Sequence, residues 1–299
     1  MQKKNTKRNL AIAFLSLLLA ASMLALPVSA AKISVTPPTV QNTSTASYAR
    51  VPIYLPSGER LSSDGYLISS TTYVPLRAAF AALYPQAKLT YSAKNREATL
   101  SGGGINMSVQ DRSHVVYANG RCLYTDMPVR ILADGTMYLP LRTLAQTLSL
   151  SVSWNEKSRS ASLSGTAKPL ESGESFYDAD AVHWLARIIS AEARGEPFIG
   201  QVAVGNVVLN RMRHKEFPNT IYGVIFDKRG GIVQFSPVSD GSIWKEPTAS
   251  SITAAKVCLE GYSVSEKILF FYAPAMVSYT WIAQNRPYAF TIAGHRFYN

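Results

Sequence analysis

Cysteine is nearly absent from this 299-residue chain: Cys122 and Cys258 are the only two, one in each half. So few thiols exclude a disulfide framework as the source of stability. Cys258 falls in the helical pattern Ile252, Ala255, Cys258, Leu259, where a small buried hydrophobe fits better than a nucleophile, and both thiols are expected to be free and buried. Histidine is also scarce, four residues in all, and His183, His214 and His295 lack any short metal-binding spacing. No metal or other cofactor is expected. Clustered basic charge is missing as well. Of the formal +11, four units belong to the first eight residues; the rest divides as +4 over residues 31–178 and +3 over 179–299, with no stripe for nucleic acid.

Long apolar runs are absent except at the start. Lys3, Lys4, Lys7 and Arg8 precede an apolar run from Leu10 to Leu26, followed by Pro27 and the small-residue tripeptide Val28-Ser29-Ala30. This reads as a secretory signal peptide over residues 1–30, with the mature chain starting near Ala31. The alternative is an uncleaved anchor, since an apolar helix of this length just reaches across a bilayer. Membrane contact is therefore expected only through this segment, if it is retained.

What is present is an internal duplication. YVPLR at 73–77 leads to Leu83, and YLPLR at 138–142 leads to Leu148. Downstream, Tyr91 to Leu100 aligns with Trp154 to Leu163, each followed by Ser-Gly, after a shift of two residues in the intervening loop. A period near 64 residues is too long for a solenoid unit, so the first half is predicted to hold a duplicated strand, helix and hairpin. Proline opens each helix, and the hairpins turn at Ala93 to Arg96 and at Glu156 to Arg159. Arg77 and Arg142 read as solvated or paired surface residues, with ligand binding as the other possibility. Residues 166–178, polar with Pro and Gly and no periodicity, read as a linker.

From Asp178 the pattern turns helical. Asp178 or Asp180 can cap a helix whose apolar positions are Val182, Leu185, Ile188 and Ile189, ended by Gly195 and Pro197. Glu192 lies three residues beyond Ile189 and seven beyond Leu185, on the apolar face. A carboxylate there either finds a cation, with Arg194, Arg211 or Arg213 in reach, or keeps its proton to higher pH than usual. The second state suits the general acid of glycosidic cleavage. Residues 198–213 are apolar nearly all round and read as a central buried helix, with Asn206 and Asn210 making structural hydrogen bonds.

Two resemblances extend this reading. The paired YVPLR and YLPLR motifs with their trailing aromatic, Arg, Ala and Leu resemble the copper amine oxidase-like amino-terminal domain found in exported bacterial proteins, over residues 33–165. The resemblance implies a non-catalytic accessory module for wall or partner attachment and no copper site, His114 being the segment's only histidine. AEARGEP at 191–197, then Gly200 to Arg211, Phe217-Pro218, Gln234-Phe235-Ser236, Asp240-Gly241, Leu269 to Tyr272, Trp281 and Gly294-His295 resemble the spore cortex-lytic cell wall hydrolase family of the SleB and CwlJ type. It implies an α+β chain: a lysozyme-like carboxyl-terminal catalytic domain, residues 179–299, behind a duplicated β-rich α+β accessory domain, residues 31–165. It further implies an exported, wall- or cortex-associated enzyme on peptidoglycan with Glu192 catalytic. We expect it to act as a monomer.

The remaining expectations follow from side-chain chemistry. Phe235, Tyr272 and Trp281 are candidate sugar platforms, with core packing the alternative. Gln234 and Ser236, in a loop, are candidates for hydrogen bonds to N-acetyl groups, and His295 is placed on the cleft side of its strand. Glu196 is expected to shape the turn that ends the helix. Asp227 and Asp240 sit in turn-like loops and make poor second carboxylates, which favours a lytic transglycosylase over a lysozyme-like hydrolase. A zinc amidase and an inactive wall-binding protein are the more distant readings. Ala273, before Pro274, stands where the family often carries asparagine.

Overall fold

A computed structural model describes residues 48–276 and 281–299, so the signal segment lies outside the described residues. Among the described residues no helix is long and apolar enough to cross a membrane.

The duplication is plain in the backbone. Strand Thr71–Pro75 runs into α1 (Leu76–Leu83) and then the hairpin Lys88–Ser92 with Glu97–Gly102. Its copy is strand Met137–Pro140, α2 (Leu141–Thr147) and the hairpin Ser151–Asn155 with Ser160–Ser164. In both, proline ends the strand and stands at the helix N-cap, where its missing N–H costs nothing. Each hairpin turn closes on an arginine in the left-handed region, Arg96 at φ 51° and Arg159 at φ 48°. The motif strands pair antiparallel, Tyr73 opposite Pro140, Val74 opposite Leu139 and Pro75 opposite Tyr138. The two motif strands are thus related by a local twofold that passes between them, as neighbours within one five-stranded sheet. Val74, Phe80, Leu100, Leu139, Leu144 and Leu163 join the two units in one buried cluster.

The carboxyl-terminal half is built on three helices. Asp178 caps α4 (Ala179–Ala193), its Oδ1 accepting from the Ala181 N–H at 2.7 Å. α5 (Phe198–Arg213) is buried along most of its length, and Thr248 caps α8 (Ala249–Leu259). Gly205 permits the closest approach: a Cβ there would lie 2.7 Å from Cys258 Sγ and 2.9 Å from Ile189 Cδ1. Asn206 and Asn210 donate to the carbonyls of Tyr262, Ser265 and Ile268 at 2.9 to 3.0 Å, pinning the segment that leads out of α8. A three-stranded antiparallel sheet follows, with His295–Tyr298 between Phe270–Tyr272 and Tyr288–Ile292. Short helices α6 (Ile221–Ile225), α7 (Ser236–Asp240) and α9 (Trp281–Asn285) complete this half.

Residues 166–178 differ from an open linker. Ala167 and Leu170 pack on the amino-terminal core, and α3 (Gly173–Phe176) lies so close to Gly120 that a Cβ on Gly173 would be 2.5 Å from the Gly120 carbonyl oxygen. Tyr177 is buried, its hydroxyl donating to Glu260 and accepting from the Cys122 N–H at 3.1 Å. The contacts come from isolated residues without a helical or strand period, so periodicity does not register them. The halves also meet directly: Arg121 pairs with Glu260 at 2.6 Å, Tyr262 donates to Asp126 at 2.9 Å, and Val115 and Cys122 belong to the apolar cluster of the helical half. Both cysteines are free and buried.

Candidate active site

Glu192 occupies the last turn of α4, one turn past Ile188 and Ile189, which are fully buried. The residue itself is half-buried. Among the described residues its carboxyl has no hydrogen-bond partner, and no cation lies within ion-pairing distance. Arg194 turns back to donate to the Ser190 carbonyl at 3.0 Å. Burial first, and the Asp240 charge second, push the Glu192 carboxyl up to about 7 against the opposing charge of Arg211.

Arg211 is 5% exposed, and its Nε donates to the Leu269 carbonyl at 2.7 Å. The guanidinium lies 5.0 to 5.3 Å from the rings of Phe217, Phe235 and Phe270, and burial, with Arg229 nearby, lowers it to about 10. Arg211 therefore acts on Glu192 through space and makes no ion pair with it. Asp240 ends α7 and accepts from the Ser242 N–H at 2.7 Å; the Ser242 hydroxyl first and this N–H second hold its carboxyl below the usual range. Asp227 accepts from Arg229 Nε at 2.9 Å.

Glu196 has a longer reach than a local turn. Its Oε2 accepts from the Gly294 N–H at 3.0 Å and its Oε1 stands 3.5 Å from His295 Nδ1. A Cβ on Gly294 would be 2.6 Å from Oε1, so only glycine lets the carboxylate approach. The turn between α4 and α5 is thereby fastened to the last hairpin. His295 is 6% exposed, with Phe271 across its ring at 5.4 Å, so it faces the interior and Glu196 rather than open cleft.

The other predicted substrate contacts separate by burial. Phe235 is 3% exposed, and its ring belongs to the core beside Phe271 and Arg211 rather than to a sugar platform. Tyr272 is half-buried in its strand and stacks on Tyr298. Gln234 is half-buried and donates to the Ile232 carbonyl, two residues back, while Ser236 is exposed at the start of α7. Trp281 is 54% exposed, with the Arg286 guanidinium 5.0 Å from its ring.

Residues 195–298 match the Cell Wall Hydrolase family, a span that begins three residues beyond Glu192. The carboxyl-terminal domain belongs to the cell wall hydrolase family. Residues 58–163 match the copper amine oxidase N-terminal domain. A spore cortex-lytic enzyme of Oceanobacillus iheyensis is 37% identical over 121 residues, 40% of this chain and 42% of that one. The spore cortex-lytic enzyme of Bacillus subtilis is 35% identical over 121 residues and 38% of its length. The chain thus spans less than half the length of the curated relatives it matches first. Among solved structures, the catalytic domain of the germination-specific lytic transglycosylase SleB of Bacillus anthracis is 33% identical, covering 44% of this chain and 100% of that one, with a TM-score of 0.37.

The cell wall hydrolase domain also carries an aromatic group that spacing did not single out. The Trp184 ring on α4 lies 5.1 Å from Tyr222, 5.3 Å from Phe226 and 5.7 Å from Trp244. Tyr222 and Trp244 are more than half exposed. The i, i+4 pair Tyr222 and Phe226 was the available signal, stacked at 4.4 Å, but Trp184 and Trp244 join it only through the fold.

Proposed function

We propose that the cell wall hydrolase domain cleaves the glycan strands of peptidoglycan as a lytic transglycosylase, outside the cell, with Glu192 as both acid and base. The observation that carries this reading is a half-buried carboxyl, unpaired among the described residues and protonated to about pH 7. Protonated Glu192 donates to the glycosidic oxygen as the bond to muramyl C1 breaks, freeing the leaving sugar's hydroxyl. The resulting carboxylate then takes the proton of the muramyl C6 hydroxyl while O6 closes on C1. A 1,6-anhydro ring forms, and Glu192 regains its proton. Tyr222 and Trp244 offer ring faces for neighbouring sugars, and Trp281 offers another.

One observation favours a second reading, lysozyme-like hydrolysis: Asp240 is the charge that most raises Glu192. Hydrolysis asks of that residue a carboxylate about 5 to 9 Å from the acid, and Asp240 already spends an oxygen on the Ser242 N–H. A zinc amidase has less support, since no group of three or more candidate metal-holding side chains stands together among the described residues. Mass spectrometry of digested sacculi tests the proposal. Anhydro-muramyl ends are expected, Glu192→Gln is expected to lower the rate about a thousandfold, and products with only reducing muramyl ends would overturn it.

A further inference from the structure

The duplication repeats a concavity as well as a backbone. Arg77, Tyr91 and Ala98 line a cavity of about 210 Å³ in the first unit. Their equivalents Arg142, Trp154 and Ala161 line one of about 610 Å³ in the second. Each has the same plan: the arginine of the YxPLR motif at the mouth of its helix, an aromatic residue projecting from the following strand, and a small residue on its hairpin partner. In each the aromatic is solvent-facing, Tyr91 at 47% and Trp154 at 39% exposure. Isolated exposed aromatics are unremarkable, but one kept at equivalent positions of two cavities is not explained by packing.

The second cavity is larger because it borrows walls. Tyr124 and Asp126 add to it, and so does Tyr262 from the cell wall hydrolase domain, whose hydroxyl donates to Asp126 and whose ring lies 4.2 Å from that of Tyr124. Glu156, also lining it, accepts from Trp154 Nε1 and so fixes the plane of the indole. Arg142 and Arg159 are exposed and make neither an ion pair nor a hydrogen bond among the described residues, leaving their donors for a ligand. Two arginines stand against Asp126 and Glu156, so the cleft has no net charge with which to draw an acidic peptide. It offers an aromatic face, fixed acceptors and free donors, in a volume within the range of small-ligand sites. That is the chemistry of a hydroxyl- and acetamide-rich ligand, and the free arginine donors suit the lactyl carboxylate that a muramyl sugar bears once its stem is removed.

We propose that this cleft, at the seam between the two halves, binds a stretch of peptidoglycan glycan strand through Trp154 and Arg142, and that the smaller cavity at Tyr91 is its non-binding counterpart. The choice of glycan rests on peptidoglycan being the substrate of Glu192. With Tyr262 in its wall, the cleft holds the strand against the same body that carries the catalytic domain.

The test uses the full chain bearing Glu192→Gln, so that no turnover intervenes, with glycan strands stripped of their peptide stems as the probe in equilibrium binding. Trp154→Ala is expected to weaken binding roughly tenfold, equivalent to about 1.4 kcal/mol, with Trp154→Phe restoring most of it and Tyr91→Ala staying within twofold. Because Trp154 is exposed, its variants are expected to melt with the parent. Unchanged binding in Trp154→Ala, an equal loss in Tyr91→Ala, or binding only to strands that keep their stems would each overturn the cleft assignment. If the parent binds stripped strands through Trp154 while the chain with Glu192 intact cleaves nothing, the cleft stands and the catalytic reading falls.

Discussion

A carboxyl group held half out of water with no cation beside it releases its proton only near neutrality, and this sets how Glu192 answers to pH. Raised from 4.5 to about 7, it is the protonated donor below about pH 7 and the useless anion above it. The rate of strand cleavage is therefore expected to fall about tenfold per unit above pH 7. The neighbouring charges give the direction of a test. Asp240, being negative, raises Glu192, so Asp240→Asn lowers it and moves the alkaline limb of kcat/KM to lower pH. A profile displaced upward or unmoved would show that Asp240 does not act on Glu192 as a charge. Under the transglycosylase reading the variant keeps most of its rate at its new optimum, whereas a loss of about a thousandfold would assign Asp240 the second carboxylate's role in hydrolysis.

The elements that hold Glu192 were largely legible in sequence, because helix periodicity and capping are local. Asp178, one of the two caps that spacing offered, the apolar stripe through Ile188 and Ile189, the all-round burial of α5 and, in the other half, both arginine-closed hairpins stand where spacing put them. What spacing missed depends on partners far along the chain. Glu196 meets Gly294 across 98 residues, Phe235 is withdrawn into the core by Phe271 and Arg211, and Trp184 gathers aromatics from two other segments. Gly205 belongs to the same class, since its need to be glycine comes from Ile189 on α4 and Cys258 on α8. Gly205→Ala gains helix propensity locally but drives a methyl into two buried side chains. A net destabilisation of about 1 to 3 kcal/mol is expected from overpacking. Chemical denaturation measures it, and a variant as stable as the parent would mean that the three helices can spread without loss.

At the scale of the whole molecule, the two halves share more than a tether. Glu260, at the end of α8, receives Arg121 at 2.6 and 2.8 Å and the Tyr177 hydroxyl, with its side chain 4% exposed. Val115 and Cys122, from the accessory half, fill out the apolar cluster of the hydrolase half, and Tyr262 reaches back to Asp126. Such a seam couples the halves thermodynamically, because neither can unfold without exposing the other's buried face and stranding a charge. A single calorimetric transition is therefore expected for the described body. Glu260→Ala leaves the Arg121 guanidinium and the Tyr177 hydroxyl without their shared acceptor, a loss of about 3 to 5 kcal/mol by the cost of an uncompensated buried charge. For a body of this size that lowers Tm by roughly 6 to 20 °C. It is also expected to resolve the transition into two, the accessory half and the hydrolase half melting apart. A variant that still melts in one step at the parent temperature would show that the apolar contacts at Val115 and Cys122 bind the halves without the ion pair.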